Sequence, residues 1–248
     1  MTANGKTLLM IGATSDIGRA IATRYAKAGW SLVLTARALE DVEREARDQA
    51  TRFAIPVRAA VLDVLDLARV RDFAESLDPA PDTVVSVVGV LGDQARAEGD
   101  IDYAAQVIRA NFEGPALVLG TFAGIMAARG SGTIVGVSSV AGERGRASLY
   151  VYGAAKAGLT AFLSGLRQRL AARGVRVITV KPGYVRTRMT EGLSLPAALT
   201  AAPAEVAEAV FRAAELGGGE VIYVRWPWRW IMAIIKLMPE GVFKKVRF

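Results

Sequence analysis

The stretch Thr7-Leu8-Leu9-Met10-Ile11-Gly12-Ala13-Thr14-Ser15-Asp16-Ile17-Gly18 sets the architecture. Its first five residues form a short apolar run without polar alternation, which reads as a strand buried on both faces. Gly12 ends the run and permits a tight turn. From residue 17 apolar residues recur at helical spacing to residue 28, and Gly29 supplies a stop. Gly18 lets helix and strand pack closely. The start of the helix offers free N–H groups to an anion such as a pyrophosphate.

The same unit repeats along the chain. Further strands are expected at 31–35, 57–62, 83–88, 133–137, 175–180 and 220–224. Helices are expected at 39–53, 67–77, 101–129 with an interruption near Gly114-Pro115, 150–173 stopped by Gly174, and 203–216. Strict alternation with fully apolar strands predicts an α/β fold: a doubly wound, parallel, seven-stranded sheet with helices on both faces. Ligands of such sheets bind beyond the carboxyl ends of the strands. Gly12, Arg37, Asp63, Gly89, Ser138-Ser139 and Pro182-Gly183 all fall at such ends. They belong to six strands, and the fold brings them to one edge.

The chain has 248 residues, 52% of them hydrophobic, with no Ser/Gly/Pro-rich linker. Residues 1–225 are read as one domain and 226–248 as an apolar, basic tail. The absence of cysteine excludes disulfides and thiolate metal sites, and no metal site is expected. No signal peptide is visible and no uncharged apolar run is long enough to span a bilayer, so a cytoplasmic protein is expected. The net charge of +7 is dispersed and accompanies no nucleic-acid motif. A phosphorylated ligand, an anionic membrane surface or simply a solvated basic surface fits it better than nucleic acid.

With neither histidine nor cysteine, proton chemistry near neutrality must come from other side chains. Tyr152 and Lys156 are four apart on one face of an expected helix, and Ser139 lies thirteen residues upstream. A lysine ammonium beside a phenol favours phenolate, so a lowered Tyr152 pKa is expected. Ser139 is suited to hold a carbonyl oxygen by a hydrogen bond. At the end of the second strand, Thr35-Ala36-Arg37 has no carboxylate to take a ribose 2′-hydroxyl, whereas Arg37 can fork onto a 2′-phosphate, which favours NADP(H) over NAD(H). Asp63 is read either as an acceptor for an adenine amino group or as a helix cap.

From about residue 8 to 224 these pieces resemble the short-chain dehydrogenase/reductase family. The matching residues are Gly12 to Gly18, Asp63-Val64, Asn111, Ser139, Tyr152, Lys156 and Pro182-Gly183-Tyr184-Val185-Arg186-Thr187. The resemblance implies a Rossmann-type fold and hydride transfer between nicotinamide and a carbonyl or alcohol. It implies Tyr152 as general acid in reduction and Lys156 as the group that lowers its pKa and holds the nicotinamide ribose. Ser139 would orient the carbonyl, Asn111 would anchor a water relay and Thr187 would meet the cofactor carboxamide. Cofactor contacts would then come from Gly12, Thr14, Ser15, Asp16, Ile17, Gly18, Arg37, Asp63, Val64, Gly89, Tyr152, Lys156, Pro182, Gly183, Val185 and Thr187. Asp16 stands where the family has its middle glycine, and is expected to point away from the pyrophosphate as an N-cap. Ser86-Val87-Val88-Gly89 stands for the family's Asn-Asn-Ala-Gly.

Residues 89–93, 138–144 and 185–189, and the tail from Trp226, are similar to the decaprenylphosphoryl-2-keto-ribose reductase branch, which shares both departures. That branch implies a keto-sugar on a polyprenyl phosphate as substrate and a flavin oxidase partner that makes the ketone. The tail holds three of the four tryptophans, namely Trp226, Trp228 and Trp230, and carries Arg229, Lys236, Lys244, Lys245 and Arg247 against Glu240. It reads as an interfacial anchor at the inner membrane face, or as a subunit interface in a homo-oligomer or a lid over the substrate cleft. Arg144, Arg146, Arg186 and Arg188 are placed in loops beside the site, where they would grip a substrate phosphate. Three functions stand open: an NADPH-dependent reductase of a lipid-linked keto-sugar, a reductase of a small soluble ketone, and a nucleotide-binding regulator without turnover.

Overall fold

The structure, a computed structural model, describes residues 5–246. In chain order it runs β1 (Thr7–Ile11), α1 (Asp16–Lys27), β2 (Ser31–Ala36), α2 (Leu39–Phe53), β3 (Val57–Val61), α3 (Leu67–Glu75) and β4 (Thr83–Ser86). Next come α4 (Gln94–Gly99), α5 (Ile101–Ile108), a π-helical turn (Arg109–Glu113), α6 (Gly114–Arg129), β5 (Gly132–Val137) and α7 (Tyr150–Leu170). The chain closes with β6 (Val175–Pro182), β7 (Tyr184–Val185), β8 (Thr200–Ala201), α8 (Pro203–Glu215), β9 (Val221–Val224), α9 (Pro227–Leu237) and α10 (Glu240–Phe243).

Seven strands form one parallel sheet in the order β3-β2-β1-β4-β5-β6-β9, and β7 and β8 form a small parallel pair outside it. The order reverses direction at β1, so the first crevice lies between β1 and β4, where a doubly wound sheet takes its ligand. Side chains alternate across the sheet. Leu8 and Met10 pack with α1, α2 and α8 on one face, and Leu9 and Ile11 with α3, α6 and α7 on the other. A slip of one residue would exchange the faces, so apolar residues on both sides hold the register. Each buried leucine or isoleucine contributes about 1.5–3 kcal/mol over its exposed state.

Strand ends differ from the expected ones by one or two residues. Strand 57–62 ends at Val61 and strand 83–88 at Ser86, which leaves Val87 and Val88 to line the crevice. The break in helix 101–129 falls at Arg109–Glu113, before Gly114-Pro115 rather than on it. Pro115 suits the start of α6. Because it has no N–H, the preceding turn lacks one helical donor and the chain takes a π register there. Helices α4, α9 and α10 and the β7–β8 pair were not expected from the pattern. Arg225 turns the chain from β9 into α9 with φ of 65°, unusual for a non-glycine residue. Its guanidinium forks onto Glu205 at 2.9 Å and reaches the carbonyls of Ala197 and Ala198, which holds the turn.

Candidate active site

The crevice is a cavity of about 640 Å³ lined by Gly12, Thr14, Ser15, Arg37, Asp63, Val64 and Gly89, among others. All seven were expected there. A Cβ on Gly18 would stand 2.3 Å from the Gly12 carbonyl oxygen, so α1 approaches the turn only with glycine at that position. Ser15 caps α1, its hydroxyl accepting from the Gly18 N–H at 3.0 Å and donating to the Gly12 carbonyl at 2.9 Å. Asp16 is therefore not the N-cap. It does turn away from the cavity, because its carboxylate accepts from the Arg188 N–H at 2.7 Å and from Arg188 Nε at 3.1 Å. Arg188 also donates to the Thr14 carbonyl at 2.7 Å. Arg37 is exposed at the cavity rim. Asp63 accepts from the Leu65 N–H at 2.9 Å; the cap position of α3 is Asp66, so Asp63 shapes the turn after β3 instead. Arg19 and Arg44 also line the cavity and were not expected. Arg19 pairs with Glu45 at 2.9 Å and Arg44 with Asp41. A glycine turn, a free helix start and arginines around a deep crevice fit a dinucleotide.

Asn111, Ser139, Tyr152 and Lys156 converge beside this crevice. β5 delivers Ser138 and Ser139, and α7 delivers Tyr152 and Lys156 one turn apart. The buried Ser138 hydroxyl donates to the Lys156 carbonyl at 2.9 Å, which ties β5 to α7. Lys156 is buried, with Nζ 3.3 Å from the Val137 carbonyl, 3.4 Å from the Val88 carbonyl and 5.8 Å from the Tyr152 ring centre. Burial lowers its pKa to about 8. Tyr152 departs from expectation: its phenol lies above its ordinary value, not below. Burial raises it, and this outweighs the hydrogen bond to Ser139 and the positive charge of Arg146. The Tyr152 side chain is thus a neutral phenol at neutral pH, a proton donor. Asn111 is fully buried on the π turn, its amide donating to the Val107 and Val90 carbonyls at 2.8 Å each and accepting from the Val90 N–H at 3.2 Å. That side chain is committed to pinning the loop after β4. Beyond Tyr152 lies a smaller, mostly apolar cavity of about 210 Å³, lined by Leu91, Val107, Leu149, Val151, Tyr152 and Leu193.

Five more expected cofactor residues lie outside that lining. Pro182 is buried as the last residue of β6, Val185 is buried in β7, and Thr187 lines a neighbouring open cavity with Asp16, Arg186 and Arg188. Gly183 faces the tail: a Cβ there would sit 1.9 Å from Trp228. The Trp228 indole stacks edge-on to Tyr184 at 5.3 Å and donates to the Leu199 carbonyl at 3.0 Å. Ile17 belongs to the core packed around α1.

The loop after Ser139 is bolted to the tail. Arg144, expected to grip a phosphate, donates to the Ile235 and Met238 carbonyls at the end of α9, pairs with Glu240 at 2.9 Å and stacks on Phe243. Arg188 is likewise spent, on Asp16. Of the four loop arginines, Arg186 is exposed and Arg146 lies near Tyr152. Glu143, given no role by the sequence, has a buried side chain that takes Lys181 at 2.6 Å, Lys236 at 3.0 Å and the Tyr223 hydroxyl. Burial pushes its carboxyl up, but those hydrogen bonds together outweigh burial and leave it below the usual carboxylate range. Nothing local marked Glu143 for a role, or Gly183 as the seat of Trp228, because their partners lie dozens of residues away.

Fold and site together define a nicotinamide-nucleotide oxidoreductase of the Rossmann type. Residues 6–197 match the short chain dehydrogenase profile, and the chain belongs to that family. It is 38% identical over 242 residues to an uncharacterized oxidoreductase of Mycobacterium tuberculosis, covering 96% of both chains. It is 31% identical to the 3-oxoacyl-[acyl-carrier-protein] reductase of Aquifex aeolicus, over 89% of this chain and 96% of that one. A protein described as an NAD(P)-dependent gluconate 5-dehydrogenase from Beutenbergia cavernae, solved with bound NADP, superposes with a TM-score of 0.82 at 29% identity, over 92% of this chain and 98% of that one.

Proposed function

We propose that this chain reduces a ketone with NADPH in preference to NADH, and that the ketone is a keto-sugar carried on a polyprenyl phosphate. The observation that carries the reductase reading is the grouping of Ser139, Tyr152 and buried Lys156, with Lys156 Nζ 5.8 Å from the Tyr152 ring centre, at the edge of a crevice suited to a dinucleotide. A bound nicotinamide supplies hydride to the carbonyl carbon. Tyr152 gives its phenolic proton to the carbonyl oxygen, and Ser139 steadies that oxygen with a hydrogen bond. The Lys156 ammonium, 5.8 Å from the ring centre, stabilises the phenolate left behind. The resemblance implies that Asn111, on the π turn, anchors a water that returns the proton; with its side chain committed to Val90 and Val107, its backbone carbonyl would hold that water. Arg37, exposed at the cavity rim, would hold the 2′-phosphate. Aquifex aeolicus 3-oxoacyl-[acyl-carrier-protein] reductase is itself named for a ketone reduction, which supports the direction.

Support for the lipid-linked sugar comes from residues 89–93, 138–144 and 185–189, which resemble the keto-ribose reductase branch, and from the tail built into the site edge through Gly183 and Trp228. In that reading an oxidase supplies the ketone. The apolar cavity beside Tyr152 favours a second reading, in which a small soluble ketone places an alkyl group against Leu91, Val107 and Leu193. A coupled assay decides between them. A polyprenylphosphoryl sugar, a flavin oxidase that makes its ketone and NADPH are combined, and loss of NADPH is compared with that on water-soluble ketones. The lipid-linked ketone is expected to have the larger kcat/KM; a reversed ranking overturns that substrate assignment. Tyr152→Phe is expected to lower turnover by about 10²–10⁴-fold while NADPH binding persists. Undiminished turnover in that variant overturns the proton donor.

A further inference from the structure

We infer that the outer face of α9, with the basic segment that follows it, docks this protein flat on an anionic lipid bilayer. The helix has two opposed apolar faces. Trp228 and Met232 point inward and pack with Val140, Tyr184, Leu199 and Tyr223. Trp226, Trp230, Ile234 and Leu237 point outward and are 75%, 61%, 66% and 83% exposed. Their spacing of four, four and three residues makes one stripe along the helix. A helix docked through one face has no folding reason to carry indoles and large aliphatics on the other.

The surroundings of the stripe specify its occupant. Arg229, Lys244 and Lys245 are exposed in the same segment, and Lys236, also exposed, is paired with Glu143. The only acid in 226–246, Glu240, is taken by Arg144. A groove of about 600 Å³ between β9 and α9 has an apolar floor of Val221, Ile222 and Ala233, with Trp226, Arg229 and Lys236 along it. Cations around an apolar floor suit an anionic headgroup with its chain below. Indoles favour the headgroup level, and lysines flanking a flat amphipathic helix favour anionic lipid. Among the described residues no helix is long and apolar enough to cross a membrane, so the contact is with the surface. α9 packs on Val140, next to Ser139, and on Gly183, so the docked face and the candidate site share one edge of the sheet.

The reaction plays no part in the test, which therefore stands or falls apart from the reductase reading. Full-length protein is sedimented with vesicles of phosphatidylcholine containing phosphatidylglycerol, and with pure phosphatidylcholine, without cofactor or substrate. Binding to the anionic vesicles is expected, weakening with salt. Trp226→Ser/Trp230→Ser is expected to abolish it, and Lys244→Gln/Lys245→Gln to weaken it by roughly fivefold per lysine. Brominated lipid is expected to quench the exposed Trp226 and Trp230 while Trp30 and Trp228, both buried, keep their emission. Quenching uses the wild-type chain and decides the matter should a variant misfold. No sedimentation with anionic vesicles at low salt overturns the inference, as does binding that survives loss of both tryptophans. A soluble dimer that Trp226→Ser/Trp230→Ser splits, with no vesicle binding, assigns the face to a second copy of the chain and overturns it too.

Discussion

Replacing Gly183 by alanine is expected to expel the tail helix from its seat. The new Cβ would lie 1.9 Å from Trp228 Cε2, 2.1 Å from Nε1 and 2.4 Å from Cζ2. Unbonded carbons settle near ~3.5–4.0 Å, so the indole must retreat by about 1.5–2 Å. It is a rigid bicycle, walled by Tyr184 at 5.3 Å and held by the bond to Leu199 at 3.0 Å, and cannot step aside. Losing a buried tryptophan side chain costs about 3–5 kcal/mol, which bounds the penalty on docking α9. The opening equilibrium of residues 227–237 should rise by roughly two to four decades. Hydrogen exchange read by mass spectrometry checks this: amides of 227–237 should lose protection while those of β1, β4 and β5 keep theirs. Adding Gly183→Ala to Trp228→Ala should cost little more, because the clash is already gone. Wild-type protection of the tail in Gly183→Ala, or additive costs in the double variant, would refute the reasoning.

Three further outcomes follow from the same geometry. Glu143→Gln leaves Lys181 without its buried partner at a cost of about 3–5 kcal/mol, so the midpoint of thermal unfolding should fall by at least roughly 6 °C, and an unchanged midpoint would refute it. Lys156 titrates near 8 in the fold, whereas an unfolded lysine holds its proton to about 10.4. The unfolded chain binds the extra proton in that window, so stability should rise with pH there relative to Lys156→Met, by up to roughly 3 kcal/mol in denaturant titrations; parallel curves for the two proteins would refute it. Arg37→Ala should raise the KM for NADPH by about 10–100-fold and leave that for NADH nearly unchanged, and equal effects on both cofactors would exclude a 2′-phosphate contact.

The sheet was legible because each strand is a short apolar run and each helix ends at a glycine or a loop. Hydrophobic period and turn chemistry are local signals, and they place Gly12, Arg37, Asp63 and Gly89 on one edge without further help. The pair Tyr152 and Lys156 was legible for the same reason, since helical spacing alone puts them on one face. What escaped depends on contacts distant along the chain. The Glu143 knot joins positions 38, 80 and 93 residues apart, and the seat of Trp228 joins Gly183 to a residue 45 further on. The pKa of Tyr152 went the other way because spacing reveals a neighbouring charge but not burial, and burial dominates here. Asp16 and Arg188, 172 residues apart, likewise satisfied each other where the sequence offered one a cap and the other a phosphate.

Synthesis runs from the amino terminus, so the tail's part of the clamp, Lys236 on Glu143 and the α9 carbonyls on Arg144, is made after the sheet and the crevice. A nascent chain ending near β9 already possesses the dinucleotide crevice, yet the loop that carries Ser139 is then held through Glu143 by Lys181 and Tyr223 alone, without Lys236 or the carbonyls that receive Arg144. Removing residues 225–248 should therefore yield a protein that still captures nucleotide with its proton-transfer apparatus braced less firmly, by Lys181 and Tyr223 alone.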